Sequence, residues 1–244
     1  MDDMPTLFDH LDERFQPDML IEGYKETWLR VPQRRFKRPL TLTEITGPLN
    51  LESKLEAGRS GLSDLSRAAE STPRAQGQLI SLTGRLLDED GRPVRDSVVE
   101  LWHANASGRY RHHADEGSLA PLDPNFIGSG RALTDAQGRY GFITIKPGAY
   151  PVPNHPSRWW RPPHIHLSVF GESFMSRLVT QMFFPGEPLN DIDLILNAVP
   201  DPRGRERMVA AVVPMMDVPT LGAIGFEHDI VVRGSRQTPF ERSP

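Results

Sequence analysis

Short segments rich in β-forming residues recur along the chain from about residue 78 onward. "LISLTGRLL" at residues 79–87 is followed by the turn signal "DEDGRP", and "HIHLSVF" at residues 164–170 is followed directly by glycine. Aspartate-glycine and other glycine- or proline-containing turns between such segments are typical of antiparallel all-β proteins. The pattern therefore predicts a mainly β protein with an antiparallel β-sandwich core.

The predicted strands supply a sizeable apolar core. One short helix is expected near the C-terminus, within "DPRGRERMVAAVVPMMD", where Pro214 would end it because proline cannot continue a helix. The expected strands are "LISLTGRLL", "DSVVELWHAN", "TDAQGRYGFITI", "HIHLSVFG", "RLVTQMFFPG" and "FEHDIVVRG". The expected core residues are Val98, Val99, Leu101, Phe142, Ile143, Leu178, Val179, Ile230 and Val231.

Residues 1–75 show little periodicity and are predicted to form an extended, largely irregular N-terminal arm. Residues 76–244 are predicted to form the sandwich domain. Residues 25–50 are rich in apolar side chains yet follow neither a helical nor a strand period, which favours burial against a second chain. Residues 52–77 are polar, and a disordered linker and a loop with a short helical turn at "LSDLSRAAE" are equally compatible with them.

Composition narrows the classes of function. The formal net charge is −4, so no basic field favours nucleic acid or an anionic membrane. There is no cysteine, and any metal site must therefore use nitrogen and oxygen ligands. The acidic first residues lack the apolar stretch of a signal peptide, and no apolar run approaches the roughly 18 residues of a membrane helix. A cytoplasmic location is expected.

Two histidines stand two residues apart in the predicted strand "HIHLSVF". Alternate residues of a strand share a face, so His164 and His166 point to one side and Ile165 to the other. This spacing allows both imidazoles to reach one metal ion, although two solvated histidines would give the same pattern. The preceding proline-rich segment "YPVPNHPSRWWRPP" is predicted to form a long loop. Functional sites often lie on such loops, which favours a metal site over two solvated histidines.

Three kinds of metal site are compatible with this pair. A zinc hydrolase needs a third ligand, which His112 or His113 would supply. An Fe(II) oxygenase needs a carboxylate, and none stands at the usual close spacing. A ferric ion would suit two histidines and two tyrosines, because a hard phenolate stabilises the higher charge. Tyr110 and Tyr150 lie at strand ends beside loops, whereas Tyr140 alternates with Phe142 and is expected in the core.

The combined motifs resemble those of the intradiol ring-cleaving dioxygenases, over a stretch that runs from about Tyr24 to Glu241. The matching segments are "GRLLDEDGRPVRDSVVELWHANASGRYRHH", "LAPLDPNFIGSGRALTDAQGRYGFITIKPGAYP", "WRPPHIHL" and "TQMFF". Two positions depart from the family pattern, Val152 where tryptophan is frequent and Pro163 where a small residue is frequent. Neither position is itself an expected ligand, and both are expected to lie on the wall of the substrate pocket.

The resemblance implies a β-sandwich that binds one Fe(III) per chain. By position, the ligands would be Tyr110, Tyr150, His164 and His166, all within the quoted motifs. Arg161 and Gln181 would lie beside the substrate, and Tyr24 of "GYKETWLR" would face its carboxylate.

The resemblance also implies roles for two of these residues in the reaction with O2. Tyr150 would release the metal and accept a proton from the catechol, and Arg161 would supply positive charge where ring electron density builds up. The other reading of Arg161 is an ion pair or a cation–π contact with Trp159 or Trp160.

Three functions are compatible with these features to different degrees. The first is cleavage of 3,4-dihydroxybenzoate by an iron-holding β chain that pairs with a homologous α chain. The second is cleavage of catechol or hydroxyquinol by a homodimer, but those relatives begin with a helical dimerisation segment that the proline-rich start does not resemble. The third is a non-catalytic binding module of the same fold, and retention of all four ligand residues argues against it.

Overall fold

The computed structural model describes residues 63–115, 118–152, 155, 158–170, 177–218, 220, 222–232 and 236–239. Tyr24 and residues 25–50, to which the sequence assigns substrate and partner contacts, lie outside these ranges. The strands in the described part are β1 Leu79–Leu87, β2 Val98–Trp102, β3 Ser129–Leu133, β4 Arg139–Ile145, β5 Tyr150–Pro151, β6 Trp160–Arg161, β7 His164–Phe170, β8 Arg177–Phe183, β9 Ala211–Val213, β10 Ile224–Glu227 and β11 Ile230–Val231. The helices are α1 Leu194–Asn197 and α2 Pro202–Glu206, and short 3₁₀ turns occupy His113–Asp115, Pro188–Ile192 and Met215–Asp217.

The strands form two main sheets and one two-residue ladder. In the first sheet β1 pairs antiparallel with β4 on one side and parallel with β10 and then β11 on the other, while β9 pairs antiparallel with β10. The second sheet has the order β3-β2-β7-β8, and its neighbours are all antiparallel. The predicted sandwich is confirmed, with the refinement that its first sheet is mixed.

Side chains from both sheets form one apolar core. Leu82 and Phe142 of the first sheet belong to the same buried cluster as Leu101 and Ile165 of the second. Ile165 is fully buried, which confirms that His164 and His166 share the opposite face of β7. Of the nine predicted core residues, Ile143 and Val231 are half-buried and the others are buried.

The C-terminal third differs from its prediction in three places. The sequence predicted one short helix, whereas the described chain forms two, α1 and α2. The expected helix ends at Glu206, and the apolar residues after it form the edge strand β9, in which Val212 pairs with Phe226. Pro214 therefore follows a strand and does not end a helix. The expected strand "FEHDIVVRG" is divided into β10 and β11 because its ladder with β1 is interrupted at His228 and Asp229, where the backbone N–H of Arg85 donates to the side chain of Asp229 at 2.8 Å. The register with β1 is the same on both sides of the interruption.

Residues 63–77 are packed against the sandwich. The backbone N–H of Leu65 donates to the carbonyl of Ile143, and the N–H of Ile143 donates to the carbonyl of Ser63, both at 2.8 Å. Leu65 and Ser66 have no exposed surface. This part of the polar segment is a packed loop rather than a disordered linker. The proposed boundary between residues 75 and 76 remains a prediction.

No helix in the described part of the chain is long and apolar enough to cross a membrane.

Candidate metal centre

Four side chains from three parts of the fold bring their polar atoms together. Tyr110 follows β2 in a loop, Tyr150 begins β5, and His164 and His166 project from β7. The phenol oxygen of Tyr110 lies 3.0 Å from Nε2 of His166 and 3.4 Å from Nε2 of His164. The phenol oxygen of Tyr150 lies 3.4 Å from Nε2 of His164. The structure thus brings together the four residues that the sequence predicted as ligands.

The ring of His164 is held in one tautomer. Its Nδ1 lies 2.7 Å from the carbonyl oxygen of Pro162, which can only accept, so Nδ1 carries the proton and Nε2 presents its lone pair to the phenols. Burial, followed by the charges of Arg161 and His166, holds the pKa of His164 well below its ordinary value. His164 is therefore the neutral imidazole that binds metals.

Aromatic neighbours fix both histidine rings. The His166 ring stacks on Trp102, its partner across β2 and β7, with centroids 5.0 Å apart and planes 6° apart. The His164 ring stacks on Phe183, its partner across β7 and β8, with centroids 5.8 Å apart and planes 28° apart. Such stacking holds the two imidazoles in place before any ligand arrives.

A glycine lets the two tyrosine-bearing segments approach each other. Gly108 has φ +78°, and a Cβ at this position would lie 2.3 Å from the carbonyl oxygen of Ala149. Only glycine fits this close crossing and this backbone conformation. The Tyr110 N–H donates to Asp115 Oδ2 at 2.8 Å, and the Tyr110 and Tyr150 rings meet edge to face with centroids 5.5 Å apart.

A buried cation stands next to the four-residue cluster. Arg161 is 4% exposed, and its Nε donates to Asp193 Oδ2 at 2.8 Å while its Nη2 donates to Gln181 Oε1 at 2.6 Å. Its guanidinium also lies over the Trp159 ring, 5.5 Å from the centroid. Burial by itself would lower the pKa of Arg161, but the charges of Asp193 and then Tyr150 outweigh burial and raise it, so the residue stays charged. The ion pair and the cation–π contact considered from sequence are both present.

Gln181 presents a hydrogen-bond donor beside this cation. The residue is fully buried and stands opposite His166 in the ladder between β7 and β8. Its Oε1 accepts from Arg161, so its amide orientation is settled. Its Nε2 has no acceptor among the described residues. Since buried polar groups normally have partners, this N–H is available to a ligand.

The donor set fits a ferric ion better than the other metals considered. Donors that share one metal at about 2 Å stand roughly 3 to 3.5 Å apart, which matches the spacings between the phenol oxygens and imidazole nitrogens. Within the described ranges, no three histidine or carboxylate side chains converge as a zinc or Fe(II) site would require. The His112 and His113 rings pack on each other, with centroids 4.0 Å apart, on an exposed turn and outside this cluster.

Sequence reasoning did not identify Asp193 as part of this region. The signal for it was weak: an aspartate just before the apolar run "LIL" indicates a helix N-cap, and Asp193 does cap α1. Its contact with Arg161 spans 32 residues in sequence, and no local pattern predicts it.

Comparison with known proteins places these features in a family. A family model described as a dioxygenase matches residues 51–234. The protocatechuate 3,4-dioxygenase beta chain of Burkholderia cepacia is 44% identical over an alignment of 251 positions, which covers 98% of this chain and 100% of that protein. The alpha chain of Pseudomonas putida protocatechuate 3,4-dioxygenase is 30% identical over 208 residues, covering 83% and 96% respectively.

A solved structure agrees with this assignment. The catechol 1,2-dioxygenase of Acinetobacter sp. ADP1 has a TM-score of 0.51 and 26% identity, covering 69% of this chain and 55% of that one. The sandwich, the motifs and these likenesses together show that the chain belongs to the dioxygenase family of intradiol ring-cleaving enzymes, which depend on non-haem iron.

Proposed function

We propose that this chain is the iron-holding β chain of a protocatechuate 3,4-dioxygenase. It would cleave 3,4-dihydroxybenzoate with O2, between the two hydroxyl-bearing carbons, to give 3-carboxy-cis,cis-muconate. The main support is the convergence of two phenols and two imidazoles in a chain that matches a β-chain relative along nearly its whole length.

The proposed ligands of one Fe(III) per chain are Tyr110, Tyr150, His164 and His166. Phenolate suits a trivalent ion because the hard anionic oxygen offsets its charge, and binding removes the phenol proton despite a free pKa near 10. The neutral state of His164 supports its role, because a protonated imidazole cannot donate to a metal. The bound ion would act as a Lewis acid toward the catechol oxygens.

Four residues would bind the substrate or take part in its reaction. Tyr150 would act as the base that accepts a proton from the catechol, since a phenolate released from a metal regains a high pKa. Arg161 is buried and held charged, so it would stabilise negative charge that develops on the ring. Gln181 would donate its free amide N–H to the substrate. Tyr24 would face the substrate carboxylate.

A homologous α chain is the proposed partner. The alpha-chain relative is similar to 83% of this chain, so the two kinds of chain would share a fold. Apolar residues 25–50 would be buried against that chain, which would complete recognition of the substrate carboxylate. We expect the assembly in the cytoplasm.

The test is oxygen uptake by the chain purified alone and co-purified with an α chain. The proposal predicts uptake of O2 with 3,4-dihydroxybenzoate by the pair, a product cleaved between the hydroxyl-bearing carbons, and little activity from the lone chain. His166→Ala should lose iron and activity, while the matched control His113→Ala, on the exposed turn, should keep both.

Two results would overturn the proposal. Cleavage outside the hydroxyl-bearing carbons, or no uptake by the pair, would exclude the proposed reaction. Full activity of the lone chain as a homodimer on catechol or hydroxyquinol would instead support the alternative function considered from the sequence.

A further inference from the structure

Asp193 joins the buried cation of the site to the start of a helix. The residue has no exposed surface. Its Oδ2 accepts from Nε of Arg161 at 2.8 Å, and its Oδ1 accepts from the backbone N–H groups of Ile195 and Leu196 at 3.1 and 2.8 Å. One carboxylate thus caps α1 and also anchors Arg161.

The anchoring leaves one part of Arg161 unused by the protein. Nε and Nη2 are bound to Asp193 and Gln181, whereas Nη1 makes no hydrogen bond to any described residue. The guanidinium is rigid and planar, so fixing two of its nitrogens also fixes the third. Arg161 stands opposite Tyr150 in the ladder between β5 and β6, which places the cation beside a proposed metal ligand.

We propose that Asp193 is a positioning residue that holds the Arg161 guanidinium in the orientation required for ring cleavage. This inference rests on the proposed function. Without the carboxylate, Gln181 and Trp159 are the side chains that still hold the arginine among the described residues, and its charge moves away from the developing charge on the substrate. Asp193 contacts neither the ligands nor, on this reading, the substrate.

The two tasks of Asp193 can be separated by one substitution. Serine is a good N-cap, because its hydroxyl accepts from the first backbone N–H groups of a helix. Asp193→Ser therefore preserves the cap of α1 while it removes the carboxylate from Arg161. Asp193→Asn is the second, nearly isosteric variant, and its amide cannot accept hydrogen bonds at both places.

The chain offers a matched control at α2. Asp201 caps that helix, accepts from the backbone N–H of Arg203 at 2.8 Å and pairs with the Arg203 guanidinium at 2.7 Å, all at a more exposed position. Asp201→Ser removes the same chemical features outside the site. This variant controls for the exchange of a capping aspartate for serine with loss of an exposed ion pair. The effect of an unpaired buried guanidinium is controlled by the double substitution with Arg161→Met.

The experiment measures kcat per bound iron, KM and iron content for both serine variants in the complete enzyme. We expect Asp193→Ser to bind iron normally and to lose about 10- to 100-fold in kcat per iron, while Asp201→Ser stays within about twofold of wild type. If Asp193→Ser folds poorly, Asp193→Asn is measured in the same way. A kcat per iron within about twofold of wild type overturns the inference.

A double substitution gives a readout that a purely structural role would not produce. In the Arg161→Met background, Asp193 has no cation to orient, so adding Asp193→Ser should leave the residual kcat per iron unchanged. The double variant also leaves no unpaired buried charge at this place. A further tenfold loss in the double variant would show that Asp193 does not act through Arg161.

Failure of the inference is distinct from failure of the proposed function. If the wild-type pair shows no oxygen uptake with 3,4-dihydroxybenzoate, the proposed function fails. If wild type is active and the Asp193 variants behave like Asp201→Ser, the positioning role alone is wrong.

Discussion

Tyr150 stands where the proposed proton transfer would take place. It begins the two-residue strand β5, its side chain is half-buried, and its phenol oxygen lies 3.4 Å from Nε2 of His164. Tyr110 lies closer to the histidines, 3.0 Å from Nε2 of His166. Both phenol oxygens lie 3.4 Å from Nε2 of His164, so either could share a metal ion with that imidazole.

Replacing Tyr150 by phenylalanine should leave iron bound but slow the binding of the catechol. Tyr110, His164 and His166 would still hold the ion, while the base that accepts the catechol proton would be lost. Stopped-flow mixing with substrate measures the effect, and we expect the binding rate to fall by about 10²-fold or more.

Tyr140→Phe is the control, because it removes a phenol that donates to the carbonyl of His228 in the core, away from the site. It should cost about 1 kcal/mol of stability and leave the binding rate unchanged. A wild-type binding rate in Tyr150→Phe would exclude the proton-acceptor role.

The proposed ligands were predictable because each lies in a motif with its own local signal. His164 and His166 share a strand face by spacing alone, and Tyr110 and Tyr150 lie at strand ends. The ion pair of Arg161 with Asp193 was not predictable, because it joins β6 to the cap of α1 through the folded chain. Propensity and periodicity depend on residues that are neighbours in sequence. The contact between Arg161 and Asp193 depends instead on how distant elements pack in the folded chain.

At the scale of the elements, β1 packs closely against the residues that join β10 to β11, His228 and Asp229. A Cβ added at Gly84 would lie 1.9 Å from the carbonyl oxygen of His228 and 2.8 Å from the phenol oxygen of Tyr140. Gly84 thus makes room for the carbonyl that Tyr140 binds at 2.5 Å.

Gly84→Ala should destabilise the fold by several kcal/mol, because the His228 backbone carbonyl, and with it the Tyr140 hydroxyl, would have to move. Gly141→Ala in the neighbouring strand β4 is the matched control, since its Cβ would meet other atoms only at 3.7 Å and beyond. Chemical denaturation of both variants measures the difference. Equal stabilities would contradict the close approach at Gly84.

Apart from α1, the elements that sequence analysis missed are the strands β3, β5, β6 and β9, whose stability comes from pairing. The loop before His164 contains the ladder of β5 and β6, in which Tyr150 pairs with Arg161 despite the prolines around them. Strand β9 lies at the edge of its sheet, and Val212 in it is exposed. The residues of this strand are all apolar, so no alternation of apolar and polar residues marked this segment as a strand. Pairing with a partner strand decides both cases, β6 for β5 and β10 for β9.

At the scale of the whole molecule, two buried histidines besides His164 couple folding to pH. Burial lowers the pKa of His103 and of His228 to about 4, from an ordinary 6.5. His103 is hydrogen-bonded to Thr144 Oγ1, while Nε2 of His228 has no partner among the described residues. Both stay neutral in the fold at pH values where the unfolded chain already binds protons.

Stability should therefore be present above pH 6.5 and decrease as the pH falls toward 4. Each histidine would contribute a loss of about 3 kcal/mol across this window. His228→Leu removes one titrating group and an unsatisfied nitrogen, so it should keep stability near neutral pH and reduce the loss on acidification. Urea denaturation between pH 7.5 and 4 measures this, with the exposed His113→Leu as control. An unchanged acid dependence in His228→Leu would contradict its buried neutral state.

The visible absorption spectrum of the purified iron-containing protein tests whether two phenolates bind a ferric ion at this site. Charge transfer from the Tyr110 and Tyr150 phenolates to Fe(III) should colour the protein red, and the band should weaken in Tyr110→Phe and in Tyr150→Phe but not in Tyr140→Phe. A colourless protein that contains stoichiometric iron or zinc and still cleaves the catechol ring would contradict this ligand set.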